Sequence, residues 1–177
     1  MSRIQEEIFV CLDCESTGLD PQNDRIVEIA GARFTFEKII QQMDSLINPE
    51  CEIPQTSQEI HKISKEMVLD KPKIKEFLPD FLKMIDGHVL VGHGIGFDIA
   101  LIAAEAKRNQ IPCKIHEAPF LDTLRLARLY GESPVEYLLW AERKDFDQDL
   151  LYSIRLELRN RKKGGGFEQS ANPFTNL

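Results

Sequence analysis

The stretch FVCLDCESTGLDPQNDRIVEIAGARF, residues 9–34, constrains this chain more than any other. Residues 7–13 are apolar, β-branched and aromatic, and so read as a strand. Two acids, Asp13 and Glu15, interrupt the end of that run. Two positions apart on a strand, their carboxylates project from the same face. A buried carboxylate without a partner costs several kcal/mol or takes up a proton, and two side by side repel. Either the strand end emerges into solvent there, or a cation balances the pair.

The chain has 177 residues, enough for one domain with its own core. Its net charge of -7 supplies no broad basic surface for nonspecific nucleic-acid binding. Metal ions could still neutralise phosphates locally. Cys11 and Cys14 form an isolated C-x-x-C without the second pair of a zinc finger. On a strand they face opposite ways, and all four cysteines read as reduced core thiols of a cytosolic protein. The first ten residues lack a signal-peptide pattern. No apolar run approaches the roughly 20 residues of a membrane span. The expectation is a cytoplasmic protein with no membrane partner.

Three strands joined by turns come first: 7–13, RIVEIAGARF, and KIIQQMDSLINP as far as Pro49. They predict an antiparallel meander. TSQEIHKISKEMVLDKP then predicts short helical pieces capped at Thr56 or Ser57. KIKEFLPDFLKMIDG aligns Ile74, Phe77, Leu78, Phe81, Leu82 and Ile85 on one helical face and ends at Gly87. HVLVGH reads as a short buried strand and FDIALIAAEAKRNQ as a helix. PFLDTLRLARLYG reads as strand then helix, closed by Gly131. SPVEYLLWAERK opens another helix at Ser133 and Pro134. DQDLLYSIRLELRN fits helix or strand, and residues 161–177 read as a flexible tail. The order predicts an α/β fold, a mixed sheet flanked by helices.

A third acid, Asp98, lies at a helix start directly after HVLVGH and a glycine-containing turn. Alone it would be an ordinary choice for a helix first turn. With Asp13 and Glu15 it makes an oxygen-donor set drawn from two elements, which suits magnesium or manganese. Two such ions about 3.5–4 Å apart can clamp a phosphoryl centre.

LDCESTGLDPQNDRIVEIAGARF resembles the first motif of the DEDD exonuclease superfamily, D-x-E-x-T-G-L, and LVGHGIGFDIALI resembles the second. IHKISKEMV and FLDTLRLAR resemble segments lying between or after them. The resemblance covers residues 7 to about 130 and is strongest to the epsilon-like proofreading branch. It implies a ribonuclease H-like fold, with residues 1–160 as the exonuclease-like domain. It implies Asp13, Glu15 and Asp98 as the catalytic and metal-binding acids, holding two Mg2+ or Mn2+ ions, with Glu15 near the attacking water. Backbone at Thr17 and Gly18 would hold the terminal nucleotide, Leu19 would wedge against its base, and His61 and Phe97 would line the pocket. The implied substrate is the single-stranded 3′ end of DNA or RNA, and a DNA polymerase is the implied protein partner. Read without the resemblance, His61 is an ordinary half-exposed helix residue and Phe97 an ordinary core residue. The family usually places Asn after the histidine corresponding to His93; here Gly94 follows.

The superfamily's last motif supplies a final Asp, with His five residues before it or Tyr four before it. Neither version follows the second motif. His116 precedes Asp122 by six, Tyr137 leads to Ala141 and Tyr152 to Leu156. Asp145, Asp147 and Asp149 come early and fit a solvated acidic helix start. Two accounts stay open: a degenerate, catalytically impaired member that binds a polymerase or a 3′ end, or a C-terminal sequence altered by a change of reading frame.

Overall fold

A computed structural model describes residues 7–130. The helix expected at Ser133, the segment DQDLLYSIRLELRN and the tail lie outside them. Compact packing divides the chain after Thr123. The first unit contains every candidate site residue.

The meander forms as expected. β1 (Phe9–Ser16), β2 (Ile26–Phe34) and β3 (Ile39–Leu46) pair antiparallel in sequence order. Two short helices follow, α1 (Gln55–His61) and α2 (Lys65–Val68), then α3 (Ile74–Ile85). β4 (Val89–Gly92) lies parallel to β1 on its other side. α4 (Gly96–Arg108) leads to a single 3-10 turn at Ile115–Glu117, to β5 (Phe120–Asp122) parallel to β4, and to α5 (Thr123–Tyr130). The sheet order is β3-β2-β1-β4-β5, a mixed five-stranded sheet flanked by helices.

The pleat sorts β1 into two faces. Val10 and Leu12 are buried with α3 and α4 in the main core, and Cys14 packs against it. Cys11 and Asp13 are exposed on the opposite face and Glu15 is half-buried there. The cysteines therefore point opposite ways, but Cys11 and Cys51 are exposed rather than core thiols. All five apolar positions of α3 that are buried (Ile74, Leu78, Phe81, Met84, Ile85) lie on its inner face, while Phe77 and Leu82 sit at the margin. Gly87 ends the helix region with φ +74°, in the left-handed range that glycine tolerates.

At Gly31 of β2, side chains of α3 pack close against the sheet backbone. A Cβ there would lie 2.7 Å from Met84 Cε and 2.9 Å from a Phe81 ring carbon. Gly31→Ala is therefore expected to cost about 1–3 kcal/mol through overpacking, measurable as a lowered urea midpoint. An unchanged midpoint would mean that the Met84 tip swings aside freely.

The expected cap of the first short helix is corrected. α1 starts at Gln55 with Pro54 as its N-cap. The Ser57 hydroxyl instead donates to the Thr17 carbonyl at 2.7 Å, tying α1 to the loop after β1.

Candidate active site

β1 outruns its parallel neighbour. Pairing with β4 stops at Cys11–Val91, and β4 ends at Gly92, so the following residues of β1 lose their partner on that edge. The chain turns away through Gly94, at φ +72°, whose N–H donates to Asp122 Oδ1 at 2.9 Å. α4 then begins, and Asp98 in its first turn accepts the vacated Cys14 N–H at 2.9 Å. A strand that stops early thus creates a backbone donor, and a helix acid takes it.

Of the two alternatives for the end of β1, Asp13 emerges into solvent; Asp98, 5% exposed, is the buried acid. Burial, then the negative charge of Asp13, push the Asp98 carboxyl up to about 7, against the opposing Cys14 N–H; Glu15 adds to the rise. Burial, Asp13 and Glu28 likewise raise Glu15. Asp13, Glu15 and Asp98 form no ion pair among the described residues. The three acids sense one another electrostatically, and an oxygen-only set of this kind suits a hard divalent cation. Among the described residues, however, no three Asp, Glu, His or Cys side chains converge as a ready-made cage for an ion.

Glu28 was not anticipated. It faces Glu15 across the β1–β2 pair and lies half-buried beside it, where like charges oppose one another. Only the strand register reveals this, and register is a nonlocal property.

The loop after β1 is built around Asp24. Its carboxylate accepts from Thr17 Oγ1 (2.8 Å) and from the Asp20 N–H (2.8 Å), while Thr17 Oγ1 accepts the Arg25 N–H (3.0 Å). Gly18 passes so close that a Cβ would meet Asp24 Oδ2 at 2.5 Å. Thr17 is buried, with its N–H bonded to Arg25 and its carbonyl to Ser57. Its backbone is thus already committed within the protein. The N–H groups of Gly18 and Leu19 make no hydrogen bond among the described residues. Leu19 stands out, 89% exposed.

α1 presents a second exposed apolar side chain, Ile60, 79% exposed, immediately before His61. The helix stops at Lys62, at φ 63°, and Ile63 turns into a small core with Val27, Ile53 and Val68. The Ile63 N–H donates to His61 Nδ1 at 3.0 Å, which leaves the ring proton on Nε2. Burial lowers the His61 pKa, against the opposing Ser16 main-chain interaction, and Nε2 is buried beside that main chain. Phe97 is half-buried against the main core. His93 lies with Nδ1 3.2 Å from Thr123 Oγ1.

Comparison with known proteins agrees with this architecture. The exonuclease family model, RNase_T, matches residues 10–150. The chain belongs to the exonuclease family. A PolC-type DNA polymerase III of Thermotoga petrophila is 37% identical over 127 residues, covering 72% of this chain and 9% of that protein. A DNA polymerase III subunit epsilon of Treponema pallidum is 38% identical over 97 residues, covering 55% of this chain and 45% of its own. This exonuclease-family chain therefore spans less than half the length of either relative. Among solved structures, exonuclease X in complex with 5′ overhanging duplex DNA superposes with a TM-score of 0.52 at 29% identity, over 71% of this chain and 66% of that one. An exonuclease I structure shares the fold, with a TM-score of 0.63 at 18% identity, covering 70% of this chain and 30% of that one. Among the described residues no helix is long and apolar enough to cross a membrane.

Proposed function

We propose that this protein is a metal-dependent 3′–5′ exonuclease of the DEDD type, releasing monophosphates from DNA ends in proofreading or repair. The observation that carries this reading is Asp98: a buried carboxylate, fixed on a strand amide, raised to about 7 and coupled to Asp13 and Glu15 with no cation beside it in the described residues. Asp13, Glu15 and Asp98 would hold Mg2+ or Mn2+. A bound divalent ion supplies charge neutralisation for the phosphate and acidifies a water. Glu15, half-buried on the same face as Asp13, accepts that water's proton at a carboxylate oxygen. His61, its Nε2 turned inward against the Ser16 main chain, lines the pocket with its ring. The Gly18 and Leu19 N–H groups hold the terminal nucleotide, and Leu19 and Ile60 offer apolar surface to its base. Phe97, packed on the core, backs the pocket.

DNA as substrate is supported by the DNA-bound exonuclease X structure, and a polymerase partner in the cytoplasm by the PolC and epsilon relatives. The absence of an H-x4-D or Y-x3-D beyond Asp98 favours a second reading, a module of the same fold that holds a 3′ end or a polymerase without cutting.

A strand labelled at its 3′ end, incubated with manganese, separates the two. The enzyme releases labelled mononucleotide, and Asp13→Ala slows release by at least ~10²-fold. No metal-dependent release by the unmutated protein sinks the enzyme; 3′-end binding that survives Asp13→Ala then supports the module.

A further inference from the structure

Helix α4 touches this region near both of its ends. Close to its start, Asp98 holds the Cys14 amide. Ten residues later, about 15 Å along the axis, Arg108 reaches the loop that carries Gly18 and Leu19. One guanidinium nitrogen, Nη2, donates to three main-chain carbonyls: Pro21 (3.2 Å), Gln22 (3.1 Å) and Asp24 (3.2 Å). The other, Nη1, is 2.8 Å from Glu105 Oε1. Glu105 is fully buried and also accepts from Arg25 Nε (2.7 Å) and the Ile26 N–H (3.3 Å). The guanidinium is therefore held from behind by a buried carboxylate, and its Nη2 donates to the main chain of one loop. Three carbonyl oxygens directed at one point repel without a cation between them. Inside the loop, the Asp24 carboxylate passes the constraint on to Thr17 and Asp20 by hydrogen bonds rather than through slack chain.

We propose that α4 is a strut setting the position of the nucleotide-holding loop relative to the acids, with Arg108 as the positioning residue that registers the 3′-terminal base on Leu19. The role rests on the exonuclease reading above. Arg108 does not meet the substrate; it acts through the main chain of residues 21–24. Its loss therefore weakens the grip on the terminal nucleotide and leaves the chemistry at the acids in place.

Arg108→Ala and Arg108→Lys in the full chain test this by hydrogen exchange and by steady-state cleavage of a single-stranded oligonucleotide with manganese. In Arg108→Ala, exchange at the hydrogen-bonded amides of Asp20, Gln22, Asn23 and Asp24 is expected to accelerate about tenfold, the scale of losing a charged hydrogen-bond set, with β1 and β2 unchanged. KM rises about tenfold and kcat stays within about twofold. Arg108→Lys, which keeps the charge but not the fork, recovers part of both. Unchanged exchange at those four amides overturns the strut whatever the activity. A fall in kcat at constant KM overturns the positioning role. If exchange rises as expected but the unmutated protein neither binds nor shortens a 3′ end, the exonuclease reading falls and Arg108 keeps no role beyond ordering the loop.

Discussion

Glu105→Ala lowers the stability of the fold by about 3–5 kcal/mol, the range for removing one partner from a buried ion pair. The reason is what remains. Glu105 is fully buried and faces the Arg25 and Arg108 guanidiniums at 2.7 and 2.8 Å. Without it, the Ile26 N–H loses its carboxylate acceptor inside the protein, and two cations lose their counter-charge. At ~2–4 °C per kcal/mol for a chain of this size, the melting point falls by roughly 10 °C. Glu105→Gln preserves one acceptor oxygen and is expected to lie between. A loss below about 1 kcal/mol would mean that the arginines find water instead, and that the pair contributes little.

Asp98→Asn has the opposite effect on the metal-free protein: it stabilises, and only at higher pH. The folded carboxyl is raised to about 7 from an ordinary value of 3.8. A raised acid binds its proton more tightly in the folded state than in the unfolded one. Its burial cost is absent below about pH 4, where both states are protonated. It grows as pH climbs from about 4 to 7 and is complete above that. At 1.36 kcal/mol per pKa unit the cost reaches about 4 kcal/mol. In EDTA, the wild-type melting point should fall relative to Asp98→Asn between pH 5 and pH 8. Magnesium or manganese at pH 8 should restore the wild type and leave the variant unmoved. Melting curves that run parallel across this pH range would show that solvent already relieves Asp98, and would weaken the metal site with it.

The local parts of this structure were readable in the residue pattern. The alternation in FVCLDCES put Asp13 and Glu15 on one face, and the 3.6-residue spacing of KIKEFLPDFLKMIDG marked α3 and its inner side chains. What depended on distant partners was not. Asp98 is buried because β4 stops before β1 does, and no single segment carries that difference in reach. Glu28 meets Glu15 only through strand register. Glu105 reads as a surface acid three residues before Arg108, yet α4 buries Leu101, Ile102, Ala104, Glu105 and Ala106, an arc of roughly 200° around the helix. Much of the other side is alanine, Ala100 and Ala103, so no clear polar stripe marks the faces. Ser57 looked like a helix cap because its residue type suits one; the hydroxyl was instead drawn to the Thr17 carbonyl. The C-terminal segments at issue for the missing motif lie beyond residue 130.

The single bond between the Asp98 carboxylate and the Cys14 amide has a spectroscopic consequence. A backbone N–H that donates to a carboxylate changes its proton chemical shift when that carboxylate is protonated or takes a new partner. Cys14 lies between Asp13 and Glu15 in the chain, so its amide belongs to the same few atoms as the acids themselves. One resonance in a nitrogen–proton spectrum therefore registers the charge state of the cluster directly, with no substitution or substrate added to the protein.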